Sequence, residues 1–195
     1  MSVRTFIGIG LPLLMRQTLV SAQQAMRDTS PAWRDEKWVA EENLHVTVKF
    51  LGQLPNDLVT EVSNTLVTAA ATLGAFQIRL GTILAVPRSH SATMLWAGIE
   101  EGRDATVDLA VALDLALASA GFSAETRPFR PHITLVRARS PRRVAFETID
   151  AGDRAIHVSD DRSKRMSVRG VTLFSSTLTP YGPVYEERSF APFAE

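Results

Sequence analysis

The sequence predicts an α+β fold built on antiparallel sheets. Three observations carry that expectation. Strand and helix patterns follow one another without the regular strand–helix–strand alternation of a doubly wound sheet. No glycine-rich phosphate loop interrupts them. A short polar–apolar–polar unit, His-x-Thr, occurs at residues 45–47 and again at 132–134, its histidines 87 residues apart. Each copy falls near the middle of one half of the chain, which points to two similar lobes facing each other.

Residues 4–11 (RTFIGIGL) form a short apolar run suited to an interior strand. Pro12 then opens a helical stretch to about Asp28, since proline fits a helix's first turn. After the Ser30-Pro31 turn, residues 33–39 read as a strand with a charged middle, and Glu41 to Asn43 as a loop. Residues 44–51 alternate: Leu44, Val46, Val48 and Phe50 on one face, His45, Thr47 and Lys49 on the other. Residues 56–73 carry Val59, Val62, Leu66, Ala69 and Leu73 at helical spacing. Strands are expected over 75–86 and 93–99. An apolar helix follows over 103–120, with Val107, Val111, Leu115 and Ala118 as its stripe and Gly121 as its C-terminal glycine. Residues 128–137 read as a strand and 139–165 as a short helix plus a long loop. Two final strands, 166–178 and 183–190, meet across the turn Thr179-Pro180-Tyr181-Gly182.

Composition narrows the classes. At 195 residues the chain is long enough for one sizeable domain or two tightly packed lobes. Its 21 basic and 21 acidic side chains cancel, which excludes coating of nucleic acid by bulk charge but leaves room for a local basic pocket. The absence of cysteine removes disulfides, thiolate zinc sites, iron–sulfur clusters and cysteine nucleophiles. The apolar run near the N-terminus is too short to span a bilayer and lacks the preceding positive cluster of a signal peptide. A cytoplasmic protein is the expectation.

The chemistry lies in the repeated unit. Positions i and i+2 of a strand share a face, so each copy presents an imidazole beside a hydroxyl. Imidazole titrates near neutrality and can either take or give a proton. Two such groups flanking one phosphate suit phosphodiester hydrolysis by in-line attack. The hydroxyls would hydrogen-bond the non-bridging oxygens, where charge must be held. No metal or other cofactor is required. A zinc site is the competing reading of paired histidines, but two ligands are too few, and His90 and His157 lack metal-like spacing.

The segments ENLHVTVKFLG and RPFRPHITLVR resemble the two signature segments of the 2H phosphoesterase superfamily, and within it the RNA 2′,3′-cyclic phosphodiesterase group, also described as 2′–5′ RNA ligases. RTFIGIGLP, WVAEENLH, MLWAGIE and LTPYGPVYEERSF extend the likeness over most of the chain outside 139–165. The resemblance implies a single bilobal α+β domain, two antiparallel-rich sheets with outer helices around a central cleft, each lobe contributing one His-x-Thr. It implies opening of a 2′,3′-cyclic phosphate at an RNA 3′ end to a 2′-phosphomonoester, and the reverse 2′–5′ ligation. It also implies His45 as proton donor, His132 as proton acceptor, and Thr47 and Thr134 as phosphate ligands. The expected partner is an RNA 3′ end or a small cyclic-phosphate nucleotide, met by a monomer away from membranes. Two alternatives stay open: a related enzyme acting on 2′–5′ oligoadenylate or small cyclic nucleotides, and a nucleotide- or RNA-binding module without turnover.

Further side chains are candidates by position. Arg130, two residues before His132, is a candidate phosphate contact, with a surface salt bridge as the competing reading. Trp38, shortly before the first unit, is the preferred base-stacking candidate; Phe50 shares parity with the core set. Lys49 has the parity of His45, whereas Arg137 has the wrong parity to join His132 in a regular strand.

Overall fold

The computed structural model describes residues 2–180 and 182–194; Tyr181, assigned to the last turn, lies outside the described residues. Among the described residues there are nine strands: β1 (Ser2–Gly10), β2 (Lys37–Trp38), β3 (His45–Pro55), β4 (Phe76–Val86), β5 (Ala92–Ile99), β6 (His132–Arg142), β7 (Arg165–Val168), β8 (Gly170–Thr179) and β9 (Gly182–Pro192). The helices are α1 (Leu13–Thr29), α2 (Pro31–Arg34), α3 (Asn56–Ala70), α4 (Arg103–Ser119), α5 (Phe146–Val158) and α6 (Asp161–Lys164). The α+β expectation holds. The strands pair antiparallel in the order β7-β4-β5-β6-β3-β1-β8-β9, with β2 added alongside β6.

In place of two sheets there is one curled path, whose β3–β6 ladder is a single residue pair, Val46 facing Ile133. These are the middle residues of the two His-x-Thr units, and both are fully buried. Burial of this pair turns both polar pairs to the opposite face. Helices α3 and α4 pack together, touching β3, β8 and β9; α1 and α5 pack together, with α5 against β4.

Four local expectations need correction. Residues 33–39 are not a strand. Pro31 starts the short helix α2, which buries Trp33 with its indole N–H donated to the Arg143 carbonyl, leaving only Lys37–Trp38 extended. The stretch 139–165 is not mainly loop: β6 runs on to Arg142, and α5, α6 and the start of β7 follow. The residues that α5 buries are Thr148, Gly152 and Ile156, so its inner face carries no apolar stripe for periodicity to reveal. In α4 the buried face is Thr106, Leu109, Ala110, Leu113 and Leu117, while Val111 and Leu115 are more than half exposed. A helix apolar on most sides does not reveal its inner face by periodicity alone. The expected strand 166–178 is divided between β7 and β8 at Arg169. Gly121 follows α4 as expected, at φ +91°, a left-handed conformation that favours glycine.

Candidate active site

Both histidines and both threonines line one hollow of about 540 Å³. Across the ladders His45 pairs with Gly10 on β1 and His132 with Gly98 on β5. The glycine that makes room for a ring is Gly8, paired with Thr47: a Cβ there would lie 2.9 Å from the Val46 carbonyl oxygen and 3.4 Å from His45 Cδ2.

The imidazoles are oriented alike. His45 Nδ1 lies 2.7 Å from the Asn43 carbonyl oxygen, and His132 Nδ1 lies 2.6 Å from the Arg130 carbonyl oxygen. A carbonyl only accepts, so Nδ1 carries hydrogen in both rings and the neutral form leaves Nε2 as a lone pair. The two Nε2 atoms then differ. That of His45 is 2.8 Å from Thr47 Oγ1, whereas that of His132 has no hydrogen-bond partner among the described residues. Asn43 is itself anchored, its amide donating to the Pro183 carbonyl at 2.8 Å.

Aromatic rings brace each imidazole. Phe6 lies 4.8 Å from His45, and Tyr185 meets it edge-on at 5.3 Å. Trp96 stacks on His132 at 3.5 Å and 17°. Burial lowers the pKa of both histidines below the ordinary 6.5, against the carbonyl hydrogen bonds, which raise it; the Arg137 charge lowers both further. Arg130 and His45 add smaller lowering effects on His132. Burial raises the Tyr185 pKa, so its phenol stays a donor.

The placement of Arg137 overturns the parity expectation. On β6, Val136 pairs with Leu95 and Thr134 with the next residue, Trp96, so Leu135 is an extra residue. This bulge buries Leu135 and Val136 in succession and returns Arg137 to the His132 face, among the residues lining the hollow. The same device occurs on β3. Ile7 pairs with Lys49 and Gly8 with Thr47, leaving Val48 extra. Lys49 is thereby buried on the outer face, ion-paired to Asp114 and donating to the Ser123 carbonyl at 2.9 Å. Phe50, expected in the core, is 55% exposed and lines the hollow.

The bulges have identifiable anchors. The Leu135 carbonyl accepts from Gln23 Nε2 at 3.0 Å and from the Val39 backbone N–H at 2.9 Å. The β3 bulge has Lys49 turned outward to α4.

Two sequence candidates lie elsewhere. Trp38 does not line the hollow; its indole donates to the Trp33 carbonyl and the Arg27 guanidinium lies over its ring. Arg130 is also outside, because Pro131 ends the regular strand before it; its guanidinium sits 5.8 Å from the Trp96 ring and borders a second hollow. Besides Arg137 and Phe50, the lining residues that were not candidates from the sequence include Arg4, Phe6, Ser176 and Tyr185. They come from β1, β8 and β9, and only the register of those strands brings them here.

A sheet with two matching His-x-Thr units at its junction defines a class, and comparison with known proteins gives the same one. The chain belongs to the LigT-like phosphoesterase family, whose model matches residues 14–96 and 98–185. Each matched segment holds one His-x-Thr. A Thermotoga maritima relative named RNA 2′,3′-cyclic phosphodiesterase is 32% identical over 94% of this chain and 92% of its own length. A Methanocaldococcus jannaschii relative of the same name is 27% identical over 94% and 97%. Among solved structures, the Thermus thermophilus protein TT0787 superposes with a TM-score of 0.75 at 25% identity, covering 97% of each chain. Escherichia coli LigT complexed with 3′-AMP shares the fold at a TM-score of 0.72 and 22% identity, covering both chains fully. Among the described residues no group of three or more His, Cys, Asp or Glu could hold a metal ion, and no helix is long and apolar enough to cross a membrane.

Proposed function

We propose that this protein hydrolyses RNA 2′,3′-cyclic phosphate ends to 2′-phosphomonoesters by two-histidine acid–base catalysis. The observation that carries the proposal is the pair of imidazoles lining one hollow with inequivalent Nε2 atoms. The names of the relatives support the substrate class.

His132, with its free Nε2 lone pair, acts as the base. It takes a proton from water as the water oxygen bonds to phosphorus. The P–O3′ bond breaks, and His45 Nε2 gives its proton to the departing 3′-oxygen. The 2′-oxygen keeps the phosphate. The neutral His45 ring accepts from the Thr47 hydroxyl at Nε2; once protonated it donates to Thr47 Oγ1 instead, which keeps the acidic proton at the site. Thr134, Arg137 and the Thr47 hydroxyl supply donors to the non-bridging oxygens, and Tyr185 adds a phenol. A phosphodiester anion between the rings favours protonation of His45, offsetting the lowering by burial and Arg137. A 5′-hydroxyl taking the place of water would give up its proton to His132 and bond to phosphorus as P–O3′ breaks, so 2′–5′ ligation uses the same groups. The whole chain acts as one bilobal unit, a monomer in the cytoplasm.

The test is incubation of the protein with an oligonucleotide ending in a 2′,3′-cyclic phosphate, in excess chelator, with the product read by ³¹P NMR. A 2′-phosphomonoester is expected. A 3′-phosphomonoester, or turnover only on adding metal, contradicts the scheme.

A further inference from the structure

A second hollow, of about 760 Å³, neighbours the histidine cleft: Trp96, which lines it, stacks on His132, which lines the cleft. Its charge is unlike that of the chain. Arg79, Arg103, Arg130, Arg154 and Lys164 line it against two carboxylates, Glu100 and Asp153, in a protein whose formal charge is zero.

Much of that positive charge is unmatched. Among the described residues Arg103, Arg130 and Lys164 have no ion-pair partner. Lys164 is only 8% exposed, and its ammonium has one protein acceptor, the His157 carbonyl at 3.1 Å. An ammonium has three hydrogens to donate. Arg79 Nε and Trp96 Nε1 are buried without acceptors. A buried cation and unsatisfied donors beside an aromatic ring call for an acceptor-rich anion. Leu84, 38% exposed, adds apolar surface. Cations interleaved with flat apolar surface form the usual combination for a single nucleic-acid strand, with the backbone tracked by charge and the bases by stacking. A concave wall is a poor fit to a flat lipid surface.

We propose that this hollow binds the RNA strand immediately 5′ of the cyclic end, so that the chain leaves the histidine cleft past Trp96 and runs between α4 and α5. The proposal rests on the RNA-end reading above. It assigns to the hollow a preference for strands over mononucleotides that the cleft does not need for chemistry.

The test is the double variant Arg103→Glu/Arg154→Glu. Both side chains are exposed and neither lines the histidine cleft. Two substrates are compared: a mononucleoside 2′,3′-cyclic phosphate and a strand of about 12 nucleotides with the same end, within the span of single-strand sites. Wild type should favour the strand at least about tenfold in kcat/KM. The variant should lose that preference while keeping its mononucleotide rate within about twofold, the expected signature of lost remote binding energy. Equal loss on both substrates, or an undiminished preference, overturns the proposal. Fluorescence polarisation with a labelled 3′-hydroxyl strand separates the two readings. The slope of log K against log salt should fall by about 0.7 per lost phosphate contact, about 1.4 in all. If wild type hydrolyses neither substrate, the reaction is wrong, and this binding measurement alone decides the hollow: unchanged affinity and slope, or equal competition by polyglutamate, overturns it.

Discussion

Replacing Arg137 with glutamine should leave two separate marks on the kinetics. Glutamine is shorter but unbranched and polar, and the bulge is anchored through the Leu135 carbonyl, so the backbone there is undisturbed. What disappears is a positive charge in the hollow that acts on both imidazoles. If the guanidinium donates to the phosphate in the transition state, its loss removes a charge-assisted hydrogen bond worth about 1.5–3 kcal/mol. That corresponds to a decrease of about 10- to 150-fold in kcat/KM. The second mark follows from sign. Arg137 lowers the pKa of both His45 and His132, so its removal raises both. The pH profile of kcat/KM, which reports free-enzyme ionisations, should move to higher pH as its height falls. Initial rates from pH 4.5 to 8.5 on a cyclic-phosphate mononucleotide measure both effects. A loss under about threefold would show that the guanidinium does not meet the phosphate. An unmoved profile would show that its charge is not felt at the rings.

Other perturbations test the supports of the site. Asn43→Ala removes the tether to Pro183 behind the carbonyl that orients His45. Misplacement of that ring should lower kcat by up to about 100-fold with little change in KM, and an unchanged kcat would show that Asn43 does not position the ring. Lys49→Met strands Asp114 beneath the β3 bulge. Because Asp114 keeps part of its exposure, urea unfolding should show a loss at or below the lower end of the about 3–5 kcal/mol typical of broken buried pairs. The hydrogen bond from Lys49 holds the Asp114 carboxyl below its ordinary pKa of 3.8. Its stabilising effect is present above that value and lost as pH falls through the depressed one, so the variant's stability should depend less steeply on pH below about 4. Equal acid sensitivity in both proteins would refute the pairing's role.

The sequence made the two His-x-Thr units legible because strand periodicity fixes which neighbours share a face over two residues. Over four or five residues it failed, at both copies and for the same reason. An extra residue, Val48 in one strand and Leu135 in the other, shifts the parity beyond it. Phe50 and Arg137 thus enter the cleft while Lys49 leaves it. The bulge at Leu135 depends on Gln23 and Val39, distant in the chain, so no local pattern announces it. Trp38 stays out of the cleft because closeness in sequence to His45 is not closeness in space: its strand pairs with β6 at Val136, and its indole turns to Trp33. Trp96 lies within a recognisable strand, yet only the β5–β6 register brings it onto His132.

The near-symmetry of the two units leaves the division of labour between them as the central claim, and it has a direct measurement. The pH dependence of kcat/KM should be bell-shaped for wild type, with its maximum below about 6.5, since both histidines titrate below that value. Removing a general base abolishes the limb that rises from low pH; removing a general acid abolishes the limb that falls at high pH. His132→Ala should therefore keep only the alkaline fall and His45→Ala only the acidic rise, each at a rate lowered about 100- to 10,000-fold. Exchange of the two limbs would reverse the assignment of acid and base. An intact bell in either variant would contradict two-histidine catalysis itself.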